Sequence, residues 1–214
     1  MTDWFTDELF EHEDSDRVVC DISRLVCDVE RFVHDDPMEQ YGMGVCYTKD
    51  SYGNPLRTYT AEEKHSIIDD YYIPHHSSLT KKVSRTLSLV NHAMIVDCHS
   101  FNDYPMPHNS YDGIRPDFCI GTDQYHTPQH VIDAMVDVLE FNQVTYMIDA
   151  PFAGSIVPLP YYRKNKNVWS VMIEVNKRLY MDGRNKSSSW LQTKKVVDDL
   201  LNIINDMENN YENI

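Results

Sequence analysis

Short apolar runs at strand spacing alternate along this chain with apolar stripes at helical spacing. The run Ala93-Met94-Ile95-Val96-Asp97-Cys98 is almost wholly apolar and then turns polar, as a buried central strand does. Further strands are expected over 144–149 and 169–175, with a brief one over 117–121. Thr127-Pro128 caps a helix that reaches about Asn142, with Val131, Ala134, Met135, Val138 and Leu139 at three-four spacing. A closing helix covers 191–204 or beyond, and the polar residues from Asn205 on read as a fraying tail. Strands alternating with helices imply an α/β fold of three layers, a mixed, mostly parallel sheet with helices on both faces.

The first third of the chain is patterned less clearly. Residues 3–13 suggest a short acidic helix with Trp4, Leu9 and Phe10 apolar. The β-branched run over 18–22, continued over 25–29, reads as strand, and 42–47 as another short one. Residues 50–55 carry turn chemistry in Gly53, Asn54 and Pro55. Thr60-Ala61-Glu62-Glu63 has the hydroxyl and the carboxylate of a capping box, which predicts a helix to about Tyr72. Pro74 stops or restarts it, and a second helix over 77–89 places Leu79, Val83 and Leu87 on one face. Residues 100–129 form a long segment rich in Pro, Asp, His and Tyr, a length that usually carries function.

Composition narrows the classes of function. The 214 residues, 42% of them hydrophobic, suit one domain with a real core. With 34 acidic against 19 basic residues the formal charge is -15, which repels phosphate backbones and argues against nucleic acid as a partner. No run approaches the ~18 apolar residues of a membrane helix, and the acidic start is unlike a secretory signal, so a soluble, cytoplasmic protein is expected. Five cysteines, odd in number and without a C-x-x-C pair, read as reduced core residues. Ten histidines, several beside Asp, Pro or Ser, make metal chemistry worth testing.

Three constellations can carry chemistry. Asp97-Cys98-His99-Ser100 falls where an apolar strand ends, the place where ligands gather in open α/β sheets. There His99 is either functional or bonded to backbone, with Asp97 able to orient it. Glu174 is a carboxylate within an apolar strand; it is either an edge position facing solvent or a general base whose burial raises its pKa. Arg24 and Arg31 offer planar forks for carboxylates, or else ion pairs with Asp28 or Glu30, and Arg115 is a further cation in the long segment. His76 lacks a role from spacing alone: it orients substrate or bridges two helices.

Taken together, seven segments in order resemble the N-formylglutamate amidohydrolase family, a branch of the zinc carboxypeptidase-like hydrolases. They are the acidic segment Asp3-Trp4-Phe5-Thr6-Asp7-Glu8-Leu9-Phe10, the stretch from Ser23-Arg24 to Asp28-Val29-Glu30-Arg31, and Tyr71-Tyr72-Ile73-Pro74-His75-His76. Asp97-Cys98-His99-Ser100 and Arg115-Pro116-Asp117 with Gly121-Thr122 follow, then Pro151-Phe152-Ala153-Gly154 and Glu174 through Tyr180. Glu30 stands in a usual Asn place, Ser155 in a Gly place and Lys177 in an Arg place.

The resemblance implies a phosphorylase/hydrolase-like fold and a zinc ion held by two His and one acidic residue. His99 matches the second His, and Asp3 the acidic ligand, with Asp7 competing. The family's first His lies in a P-H-S-G motif after an opening strand, and the expectation is one domain over 1–214 that begins after that strand. Glu174 would be the base acting on water, and Arg31 with Arg24 or Arg115 would clamp the carboxylate of a small N-acyl amino acid. Glu30 would compete with an acidic substrate for Arg31. The alternative is a non-catalytic relative that binds a small carboxylate or a protein partner without metal.

Overall fold

The computed structural model describes residues 2–13, 15–104 and 113–209. They fall into two units, one built from Arg17–Lys82 and the other from Asp3–Asp16, Val83–Tyr104 and the chain from Gly113 on. His108 lies outside the described residues.

The second unit carries the sheet. Strands β1 (Ala93–Phe101), β2 (Phe118–Thr122), β3 (Tyr146–Ile148) and β4 (Val168–Asn176) pair in the order β1-β4-β2-β3. β1 with β4 and β2 with β3 are parallel, while β2 runs antiparallel to β4. The chain thus adopts the expected mixed α/β fold with a mostly parallel sheet. β1 is the end strand, however, and β4 lies inside the sheet. An apolar run cannot report its place in the strand order, and four of β1's nine positions are only half-buried whereas all of β4 is buried.

Helices α4 (Gln129–Phe141) and α5 (Trp190–Asn209) pack on one face, where Val131, Met135, Leu139, Val197 and Leu200 meet Val171, Ile173 and Val175 of β4. Burying one such side chain contributes about 1.5–3 kcal/mol. The Lys194–Asp198 and Lys195–Asp199 pairs along α5 contribute about 0.2–0.5 kcal/mol each, so packing holds this helix. Thr127 does not cap α4. Its hydroxyl accepts from the Asp123 amide at 2.9 Å and donates to the Ser170 carbonyl at 2.6 Å, and Pro128 takes the N-cap position. α5 continues past Asn205, the start of the expected frayed tail.

The opposite face of the sheet is covered by residues 152–156. Cys119 Sγ donates to the Phe152 carbonyl at 3.2 Å and Ser170 Oγ to the Ile156 carbonyl at 2.8 Å. Gly121 lets this segment approach, because a Cβ there would stand 2.4 Å from the Gly154 carbonyl oxygen and 2.3 Å from Met172 Cε. Gly121→Ala is therefore expected to cost about 1–3 kcal/mol by overpacking, read as a lower urea midpoint. An unchanged midpoint would show that the segment does not lie on the sheet. Residues 3–13 hold only one turn of helix, α1 (Thr6–Leu9), and a hairpin of β5 (Met181–Asp182) and β6 (Asn185–Lys186) turns at Gly183, with φ at 60°.

In the first unit the strands expected over 18–22, 25–29 and 42–47 do not form. The Ser23 carbonyl accepts from the Val26 amide at 2.7 Å, and Asp28 Oδ1 accepts from the Glu30 amide at 3.2 Å, so local bonds to turns displace a ladder. Residues Pro37–Tyr41 form a 3-10 turn capped by Asp36, and Cys27, Val29, Val45, Cys46 and Tyr72 make an irregular core. The capping box at Thr60 forms as expected: its Oγ1 accepts from the Glu63 amide at 3.1 Å, and Glu63 Oε2 from the Thr60 amide at 2.8 Å. Pro74 does not interrupt the helix. α2 (Ala61–Ile67) passes through a π turn, Ile68–Tyr72, into α3 (Ile73–Val90), and this widened turn accommodates a residue without an amide proton. Among the described residues no helix is long and apolar enough to cross a membrane.

Candidate active site

Register builds the site. His99 of β1 is paired with Glu174 of β4, and Glu174 with Cys119 of β2. Paired residues share a face, so imidazole, carboxylate and thiol form a row across three strands on the face away from α4 and α5. Asp97 and Phe101 lie on the same face of β1, two residues to either side of His99.

The His99 ring stands between two carboxylates. Its Nε2 donates to Asp97 Oδ1 at 2.9 Å, and Asp97 Oδ2 accepts from the Ile156 amide at 3.0 Å. That bond fixes the tautomer and turns Nδ1, with its lone pair, toward Asp3 Oδ2 at 3.7 Å. Asp3 is held in turn: its Oδ1 accepts from both the amide (3.1 Å) and hydroxyl (2.8 Å) of Ser100, while Tyr180 donates to the Trp4 carbonyl at 3.0 Å. Because β1 ends the sheet, an outward amide is available for this contact.

This arrangement fits the zinc that the resemblance implies. Two ligands of a tetrahedral zinc are separated by about 3.3–3.5 Å, and the Asp3 to His99 separation of 3.7 Å is close to that and too long for a strong hydrogen bond. Asp97 and His99 both count among the side chains able to hold a metal. Through the 2.9 Å bond between them Asp97 would orient the imidazole if it held a metal. Asp3 and His99 therefore fit as two of the three protein ligands of a catalytic zinc. Asp3, of the two acidic candidates in its segment, lies 3.7 Å from His99.

Glu174 is 8% exposed, so it is not an edge carboxylate facing solvent. Cys119 beside it is no nucleophile, since burial pushes its thiol up to about 11. Arg115 is 5% exposed and its guanidinium lies 5.8 Å from the Phe101 ring centroid and 5.5 Å from that of Phe152. Two aromatic rings thus position a buried cation next to the face that carries His99. His126, within the long segment 100–129, is structural: Nδ1 donates to the Val168 carbonyl at 2.7 Å and Nε2 accepts from the Arg163 amide at 2.8 Å.

The other candidates belong to the first unit and gather on buried Asp28. Its Oδ2 lies 3.4 Å from Arg31 Nε and 3.9 Å from Arg24 Nη1, and accepts from the Tyr47 hydroxyl at 2.8 Å. The expected ion pairs with Asp28 therefore form for both arginines. His76 Nε2 donates to the Val29 carbonyl at 2.7 Å and its ring lies 4.1 Å from that of Tyr72. His76 thus ties α3 to the turn that bears Arg31.

Burial lowers the His76 pKa, opposed by its bond to Val29. The unfolded chain then binds the extra proton first, so stability is full above the ordinary value of 6.5 and falls as acidification proceeds through the lowered value. Between about pH 7.5 and 5 the wild type should lose more stability than His76→Asn, measured by urea midpoints. Parallel profiles would contradict the assignment.

Several contributors escaped the sequence reading. Ser100 as the holder of Asp3 is visible only as the last residue of Asp97-Cys98-His99-Ser100, and Asn176 and Arg178, which bond to the Arg115-Pro116-Asp117 turn, follow Glu174 by two and four residues.

Fold and site together define a mixed α/β protein with a histidine-carboxylate centre on one sheet face. The chain belongs to the N-formylglutamate amidohydrolase family, whose model matches residues 1–181. It is similar to the N-formylglutamate deformylase of Pseudomonas aeruginosa, 23% identical over 125 residues that make up 58% of this chain and 46% of that protein. The N-formylglutamate deformylase of Pseudomonas putida is 24% identical over the same shares. The match thus spans less than half the length of these two relatives. Among solved structures, the N-formylglutamate amidohydrolase from Ralstonia eutropha has a TM-score of 0.69 at 19% identity, over 84% of this chain and 73% of that one. A gene product from Agrobacterium tumefaciens has a TM-score of 0.59 at 18% identity, over 86% and 69%. These two likenesses show the fold.

Proposed function

We propose that this chain hydrolyses the amide bond of a small N-acyl amino acid, with N-formylglutamate as the leading substrate. The observation that carries this reading is the pairing of buried Glu174 with His99, whose ring Asp97 orients toward Asp3. Asp3 and His99 would hold zinc, which when bound supplies a Lewis acid that polarises the acyl carbonyl and makes water more acidic.

The remaining chemistry falls to the chain's own side chains. Glu174 takes a proton from the attacking water and delivers it to the leaving nitrogen, ending as the carboxylate it began as. Asp97 keeps the Nδ1 lone pair of His99 directed away from the strand, and Ser100 keeps Asp3 from swinging out. Arg115, planar and permanently charged and lying against Phe101 and Phe152, binds a carboxylate of the substrate. In the first unit Arg31 and Arg24 are held by Asp28 and remain candidates for carboxylate binding, while His76 supports their turn through Val29. The five free cysteines suit a reducing compartment such as the cytoplasm.

The zinc-loaded chain is expected to release formate from N-formylglutamate and to stop when a chelator removes the metal. No release from N-formyl or N-acetyl amino acids by the loaded chain would contradict this function.

A further inference from the structure

We infer that Arg178 is a positioning residue that sets the carboxylate-binding Arg115, a role the family motif would direct to the neighbouring Lys177. The inference rests on the reading that Arg115 binds the substrate's carboxylate. Arg178 reaches back to the Arg115-Pro116-Asp117 turn with its whole fork. Nη1 donates to the Arg115 carbonyl at 3.2 Å and to Asp103 Oδ1, and Nη2 donates to Asp117 Oδ1 at 2.8 Å.

Asn176 completes the clamp. Its Nδ2 donates to the Pro116 carbonyl at 3.1 Å and to Asp103 Oδ1 at 3.0 Å, its amide donates to the Asp117 carbonyl at 2.9 Å, and its Oδ1 accepts from the Arg178 amide at 3.2 Å. The far oxygen of Asp117 accepts from the Thr145 amide and hydroxyl at 2.8 and 2.7 Å. All three carbonyls of the turn are thereby held.

The purpose of this clamp is geometric more than energetic. The Arg178 side chain is 37% exposed, and exposed ion pairs add little to stability. Its guanidinium nevertheless fixes the backbone from which Arg115 reaches the paired rings of Phe101 and Phe152. Since Asn176 and Arg178 follow Glu174 in one continuous piece of chain, the clamp also fixes the distance between the base and the carboxylate anchor. A lysine cannot reproduce it, because one ammonium cannot span two carboxylates and a carbonyl in a plane.

The test compares zinc-loaded wild type with Arg178→Met, Arg178→Lys and Lys177→Met, reading kcat and KM for N-formylglutamate together with hydrogen exchange over residues 113–118. Arg178→Met should raise KM about tenfold or more with kcat within about twofold, and exchange over 113–118 should quicken. Arg178→Lys should recover part of both. Lys177→Met removes the same charge one residue away and should move neither, which separates positioning from a general field. An equal rise in KM for Lys177→Met, or unchanged KM and exchange for Arg178→Met, would overturn the inference. If the wild type fails to hydrolyse N-formylglutamate, the proposed function falls while exchange still decides the clamp: quickening in Arg178→Met alone supports it, and no change refutes it.

Discussion

Glu174→Gln is expected to lower turnover of N-formylglutamate by about a thousandfold while zinc binding changes little. General acid-base catalysis by one placed side chain is worth about 10²–10⁴, and here a single carboxylate takes both the base step on water and the acid step on the leaving nitrogen. Glutamine keeps the size and hydrogen-bonding shape of Glu174, so packing between His99 and Cys119 persists and the loss isolates proton transfer. The measurement is kcat with metal content determined on the same sample. A loss below about tenfold, or a parallel loss of zinc, would reject Glu174 as the base.

His99→Ala is expected to weaken zinc binding by more than about a hundredfold and to abolish turnover. Removing even an outer partner of a ligating histidine costs about 10–100-fold in metal affinity, and His99 is assigned as a ligand itself. The same change strands Asp97, which then keeps only the Ile156 amide of its two contacts described above. Competition titration with a chromogenic chelator reads the affinity directly. Zinc bound by the variant as tightly as by the wild type would place the metal elsewhere.

The sheet and its helices were legible because their periodicities are unambiguous: 117–121 and 169–175 match β2 and β4 to within a residue, 93–98 opens with β1, which runs on through the polar residues to Phe101, and Thr60 to Glu63 caps as expected. Strand order was not legible, since an apolar run such as Ala93-Met94-Ile95-Val96 reads the same at the end of a sheet as inside it; β1 betrays its place only through half-buried positions. The first unit misled for another reason. Val18, Val19 and Ile22 have strand propensity, yet the run lies in irregular backbone, and beyond it the amides of Val26 and Glu30 bond to Ser23 and Asp28 in turns.

The candidate site was legible in proportion to how local its signals are. His99 and Glu174 stand out as polar residues in apolar strands, and their pairing then followed from register. Asp3 has no local signal. Its place depends on Ser100, 97 residues away, and only the family resemblance pointed to it. Arg178 was hidden because the motif directs attention to Lys177, whereas the turn after β4 presents the next residue to Asp103 and Asp117.

Asp3 and His99 are proposed to hold one zinc on the face that bears Glu174, and zinc-edge anomalous diffraction from crystals of the zinc-loaded chain would locate it. The expected result is a strong peak flanked by His99 Nδ1 and Asp3 Oδ2, with Asp97 still bonded to His99 Nε2. A peak at other residues, or none at this one, would contradict the claim.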